Sequence, residues 1–197
     1  MATLYPPAPN IGSQIERAVI AYLKSVFNDQ KDNYTFYFSN DWKVREAPLF
    51  DVLAHKSTET VPHTRNESYQ VRIEAKWLGT NVAGEPSNSE ANPDTDWQAI
   101  NRMIGVVMAA MSVGNPGAGP DDVAKTTAAD ITAAAWALAA SDPTNNGDLA
   151  GVMDADGFPT GFVVEYVEFK GAQRAEAVEG TFYIKEVRNF EIRAGNY

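Results

Sequence analysis

Residues 69–77, read "YQVRIEAKW", alternate without a break. Tyr69, Val71, Ile73, Ala75 and Trp77 share one parity, and Gln70, Arg72, Glu74 and Lys76 share the other. Side chains along a strand point to opposite faces in turn, so this pattern predicts a strand with one core face and one polar face. A different period governs residues 13–28. There Ile15, Ala18, Val19, Tyr22, Leu23, Val26 and Phe27 recur at three- and four-residue steps, the apolar stripe of an amphipathic helix. Ser13 and Glu16 have the spacing of a capping box at its start. A second stripe, Trp97, Ile100, Ile104, Val107, Met108 and Met111, predicts a helix over 95–112, with Thr95 and Gln98 as its capping box.

Between these helices, "YTFYFSND" and "APLFDVLAHKS" are rich in strand formers. The second is opened by Pro48, a residue tolerated at a strand start. With 69–77 as hairpin partner of the second, the three predict an antiparallel meander with a helix across one face. Downstream, "AADITAAAWALAA" predicts a helix over 128–140, because alanine is the best helix former; its large anchors are Ile131, Trp136 and Leu138. "TGFVVEYVEF" is apolar on both parities and predicts a central strand. "GTFYIKEVRNFEIRAG" predicts a closing strand whose phase slips at Val187, which places a β-bulge near 186–189. The expected fold class is α+β, an antiparallel sheet of mixed order in the sequence α-β-β-β-α-(α)-β-β, with two main amphipathic helices packed on one face. The 197 residues fit one domain. Residues 1–11, with three prolines in the first ten, read as an extended arm, and the Ala-, Gly- and Pro-rich 113–160 as an insertion on the core fold.

Composition narrows the function. The chain carries 26 acidic and 16 basic residues, a formal charge of −10, which opposes general binding to a phosphate backbone. With no cysteine, disulfides and thiolate metal sites are excluded. The N-terminus lacks the pattern of a signal peptide and no apolar run approaches the roughly 18 residues of a membrane span, so the expectation is a soluble protein made in the cytoplasm, with no membrane partner.

One chemical motif stands out. Asp51 in "PLFD" followed by Glu74-Ala75-Lys76 has the residue types of the PD-(D/E)xK nucleases, in which acids hold Mg²⁺ and a lysine sits near the attacking water; Glu16 lies on the preceding helix. Against it, Glu-x-Lys is a common triplet, the net charge is unfavourable, and Glu74 and Lys76 continue a polar stripe that begins at Gln70. His55 and His63 lack the further ligands of a zinc set. "DADG" at 154–157 lacks the rest of a calcium loop and reads as a turn. The glycine-rich "GNPGAGPDD" has no Lys-Ser/Thr directly after a glycine, which speaks against a P-loop. No catalytic residue, metal or cofactor is expected.

The organisation carries more than any motif. The runs "PLFDVLAHKSTETVPHTRNESYQVRIEAKW", "DWQAINRMIGVVMAAM" and "YVEFKGAQRAEAVEGTFYIKEVRNFEI" follow an N-terminal amphipathic helix. In order and hydrophobic pattern, residues 12–112 and 160–193 resemble the tail terminator family of tailed bacteriophages, which includes the lambda minor tail protein U. The resemblance implies a structural virion protein at the head-proximal end of the tail. It would form a homo-oligomeric ring, a hexamer in the family, that ends polymerisation of the tail tube and presents the head-joining surface. Its partners would be the tube protein and a head-completion or neck protein, with DNA passing through the lumen without specific binding. Gln70, Arg72, Glu74 and Lys76 would face the channel or a neighbouring subunit. The alternatives are the nuclease and another neck or tail-completion protein of the same small fold.

Overall fold

The computed structural model describes residues 10–28, 37–39, 49–56, 67–78, 101, 104–111, 120–177 and 183–197. Helix α1 (Ile11–Asn28) is followed by strands β1 (Tyr37–Ser39), β2 (Leu49–Lys56) and β3 (Glu67–Leu78). Helix α2 (104–111) comes next. Helix α3 (Pro120–Ser141), the short helix α4 (Pro143–Asn146) and a 3₁₀ turn (Gly147–Leu149) lead into β4 (Gly151–Met153), β5 (Pro159–Ala177) and β6 (Tyr183–Asn196). The six strands form one sheet in the order β1-β2-β3-β6-β5-β4. The fold is α+β on a mainly antiparallel sheet of mixed order.

The alternation in 69–77 gives the expected two faces. Tyr69, Val71, Ile73 and Ala75 are buried, together with Phe50 and Val52 of β2 and Phe190, Ile192 and Ala194 of β6. Ile15, Ala18, Val19 and Leu23 of α1 complete this core with Ile104, Val107 and Met111 of α2. Each fully buried Val, Leu, Ile, Phe or Met among them contributes about 1.5–3 kcal/mol by leaving water. Tyr22 joins the two helices by donating to the Ala110 carbonyl at 2.8 Å. The packing of Trp77, and the capping box at Thr95, lie outside the described residues.

Several local expectations are corrected. Helix α1 begins at Ile11, and its cap is Asn10: the Asn10 Oδ1 accepts from the Ser13 N–H at 3.3 Å, so Ser13 is already helical. Glu16 does not reach back to Ser13; its Oε1 accepts the Ala54 N–H of β2 at 2.8 Å, tying helix to sheet. The hairpin of β2 and β3 is antiparallel, from Leu49 opposite Lys76 to Lys56 opposite Tyr69. However, β1 lies parallel to β2, Tyr37 opposite Leu49, so the three strands are not a meander. β1 spans three residues.

The expected central strand is instead near the edge. β5 pairs with β4 at Pro159–Gly161 and with β6 only from Phe162 onward, while β3 and β6 hold the middle of the sheet. Burial on both parities of β5 comes from the register shift between Val164 and Tyr166, which turns Val167 onto the same core face as Phe162 and Val164, opposite Ile192 and Ala194 of β6; α3 packs over the start of the strand. The Thr132 hydroxyl of α3 accepts the Val164 N–H at 2.9 Å, and Trp136 Nε1 donates to the Phe162 carbonyl at 2.7 Å. Backbone groups that would otherwise seek another strand are thereby occupied. The bulge expected in β6 belongs to β5: β6 pairs with β3 residue for residue, and three register shifts, between Val164 and Tyr166, Phe169 and Gly171, and Gln173 and Glu176, lie on β5. Val187 is out of phase because it lies on the opposite face of the sheet, opposite Glu74, where it is buried.

Helix α3 runs from 120 to 141, longer than the alanine run alone predicts. In the segment read as an insertion, Ala128, Ile131, Ala135, Ala139 and Leu149 belong to the same core as α1 and the sheet. Small side chains suit that position, since they let α3 approach both α1 and β5. Gly161 has φ +89°, and an added Cβ would lie 2.3 Å from the Ala150 carbonyl oxygen, so this crossing requires glycine.

The join between α1 and the turn after α4 is polar. Arg17 grips Asp148 through both guanidinium nitrogens, at 2.9 and 2.5 Å, and also donates to the Asn145 carbonyl at 3.2 Å. Gln14, fully buried, donates to the Asp148 carbonyl at 2.6 Å and accepts from Asn196 at 3.1 Å. The hydrogen bond from Arg17 holds the Asp148 carboxyl below its ordinary range. A depressed carboxylate contributes stability above its unfolded pKa, lost as pH falls through the folded one. Arg17→Ala is therefore expected to cost about 1 kcal/mol at pH 7, discounted because Asp148 is substantially exposed. The gap between wild-type and variant melting temperatures narrows as pH is lowered from about 5 to 2. Thermal melts by circular dichroism over that range check both points.

Candidate functional site: the charged face of the sheet

Gln70, Arg72, Glu74 and Lys76 lie on the face of β3 opposite the one packed under α1. The register carries their rows across the sheet: His55, Gln70, Glu191 and Glu168 in one; Leu53, Arg72, Asn189 and Gly171 in the next; Asp51, Glu74, Val187 and Gln173 in a third. The stripe is not uniformly wet. Gln70 is exposed, Arg72 and Lys76 are half-buried, Glu74 is 7% exposed and Asp51 is 1% exposed.

Ion pairing makes this burial tolerable. Lys76 Nζ is 3.2 Å from Asp51 Oδ2 and 3.4 Å from Glu74 Oε2, and Arg72 pairs with the other oxygen of Glu74. The two carboxylates thus meet one ammonium and one guanidinium, and the formal charges cancel within the cluster. Buried charges are sustained only when paired in this way. The structure therefore does bring together Asp51, Glu74 and Lys76, the three residues of the nuclease-like motif. Glu16 is on the other face, bonded to Ala54. Among the described residues no group of three or more Asp, Glu, His or Cys is placed to hold a metal ion.

A second cluster occupies the Gln70 end. Lys170 Nζ lies 2.6 Å from Glu168 and 3.0 Å from Glu191, Ser68 donates to Glu191 at 2.8 Å, and the Arg193 guanidinium stacks over Tyr166 at 5.3 Å. Burial pushes the Glu191 carboxyl up, but the hydrogen bonds from Lys170 and Ser68 outweigh it and hold the group below its ordinary range. The Glu168 hydrogen bond raises the Lys170 ammonium. Both shifts keep these groups charged at neutral pH. This half of the face is a mosaic of paired charges.

Elsewhere the motifs resolve simply. "DADG" is a turn between β4 and β5: Asp154 Oδ1 accepts the N–H groups of Asp156 and Phe158 at 2.9 and 2.8 Å, and Gly157 adopts φ +83°. His55 lies exposed at the end of β2; His63 is outside the described residues. Sequence reasoning overlooked a charged pair on the core side of β6, where Arg188 bonds to Glu186. Glu186 is 5% exposed and its Oε2 has no hydrogen-bond partner. The signal was present in the parity, since Glu186 and Arg188 continue the phase of Phe190 and Ile192. Also overlooked was the exposed tip of the β4–β5 hairpin. No helix among the described residues is long and apolar enough to cross a membrane. No protein-family model matches the chain, and no curated protein matches it.

Proposed function

We propose that the chain is a structural subunit of a phage tail, a tail terminator that closes the tube as a ring and presents a surface to the head or neck. The observation that carries this reading is the one-sided architecture. Helices α1, α2 and α3 share a core with one face of a single sheet, and the other face is a mosaic of mutually paired charges. An N-terminal helix, a long alternating strand, a second helix and a C-terminal strand in one sheet support the reading. The exposed Gln70 end of that face, where Lys170 pairs with Glu168 and Glu191, suits a surface past which DNA slides, because it offers phosphates no unbalanced cationic patch. A cyclic ring joins two different patches of each subunit. Mass photometry of the purified chain, alone and with assembled tube ends, tests association. A ring, free or on the tube, is the expected state, and a monomer under both conditions counts against the reading.

A second reading has one observation in its favour: Asp51 and Glu74 are direct cross-strand partners with Lys76 between them. A PD-(D/E)xK nuclease would use these three groups with Mg²⁺. Yet the carboxylates already hold Lys76 and Arg72, and a metal ion would have to displace them. Plasmid nicking with Mg²⁺ or Mn²⁺, lost in Glu74→Ala and Lys76→Ala alike, would establish the nuclease over the ring.

A further inference from the structure

The hairpin of β4 and β5 ends in apolar side chains that face water. Val152, Met153 and Phe158 are 63, 58 and 67% exposed. Exposed apolar residues scattered singly need no explanation, but three gathered at one tip mark an interaction site. The tip is also held in shape. Besides its two side-chain bonds, Asp154 donates its N–H to the Phe158 carbonyl at 2.8 Å, and Val152 and Met153 are paired with Thr160 and Pro159. Such preorganisation lowers the cost of docking.

Charge identifies the partner. Between Lys125 and Lys170 the sequence has no Lys or Arg, while it carries seven acids; Asp148 and Glu168 are held by Arg17 and Lys170, and Asp154 and Asp156 lie at the hairpin itself. Asp154 and Asp156 flank the tip and are exposed. An anionic lipid surface or a nucleic acid would be repelled. A second copy fits poorly as well: tip against tip would oppose like charges, and the bases of the charged face, Arg72, Lys76, Lys170 and Arg193, are engaged by their own acids. We propose that the β4–β5 hairpin is a docking knob for a different protein, one that offers an apolar socket rimmed by Lys and Arg. If the chain is a tail terminator, that protein is its tube or neck partner, and to this extent the inference rests on the proposed function.

The test uses the full chain and two probes, the tube protein and the neck protein of the same virus, each in a pairwise binding titration. Val152→Ser/Met153→Ser/Phe158→Ser should leave the circular dichroism melt and the oligomer mass unchanged while weakening binding to one probe by about 30-fold or more. Asp156→Asn should weaken the same binding severalfold at low salt and little at high salt. Undiminished binding of the triple variant to both probes would overturn the knob and leave the ring reading intact. Loss of the oligomer in that variant would also overturn it, by making the hairpin a contact between copies. A wild-type chain that neither forms rings nor binds either probe would bring down the ring reading and the knob together.

Discussion

Phe190→Ala is expected to reduce the free energy of unfolding by about 3–5 kcal/mol. Phe190 is fully buried in β6, a strand bonded on one side to β3 and on the other to β5. Its register partners are Val71 and Phe169, and its ring lies 5.6 Å from that of Phe169, tilted by 59°. Truncation removes the transfer free energy of the ring and the aromatic contact, and leaves a cavity in the middle of the sheet that neither hydrogen-bonded neighbour can move to fill. For a chain of this size the melting temperature should fall by roughly 6–20 °C. Val152→Ala, at the exposed hairpin tip, serves as the contrast and should stay within about 0.5 kcal/mol of wild type. Calorimetry or chemical denaturation of the two variants makes the comparison.

Lys76→Met carries the second large effect. It removes the ammonium that lies between Asp51 and Glu74, both nearly inaccessible to water. Breaking a buried ion pair from one side costs about 3–5 kcal/mol, because the remaining charge stays desolvated. Lys76 is partly exposed, which brings the expected loss to about 2–4 kcal/mol. The diagnostic lies in the double variant. If the cluster is structural, Asp51→Asn together with Lys76→Met removes the stranded charge and recovers a good part of the lost stability. Urea titration of the wild type and both variants at pH 7 reads this directly; a double variant no more stable than Lys76→Met would show that the pairing is not what sustains the buried acids.

The fold was legible where one period ran without interruption. The β3 alternation predicted both faces correctly, and the stripe from Ile15 to Val26 predicted α1 to within two residues at its start. The misses fell where tertiary contacts override local pattern. Burial of β5 on both parities suggested a central strand, but the register shift after Val164 turns Val167 onto the same core face as Phe162 and Val164, and α3 occupies the neighbouring backbone through Thr132 and Trp136. The phase slip at Val187 suggested a bulge in β6; instead the strand is regular, with a buried valine on the charged face and the Glu186–Arg188 pair on the core face. At the candidate site the sequence placed Gln70, Arg72, Glu74 and Lys76 on one face, but alternation alone could not show that Glu74 is enclosed by Arg72 and Lys76. It also could not reveal the hairpin tip, because exposure of Val152, Met153 and Phe158 depends on what the rest of the chain leaves uncovered.

The most direct test of the account is control of tube length. Tube protein of the same virus should be polymerised with and without the chain, and the products measured by negative-stain electron microscopy. The account predicts that growth stops when the chain is added, that one end of each arrested tube carries a ring, and that the bound mass is about six times the 21.5 kDa of one chain. Tubes that reach the same lengths with the chain present, and carry nothing at either end, would contradict it.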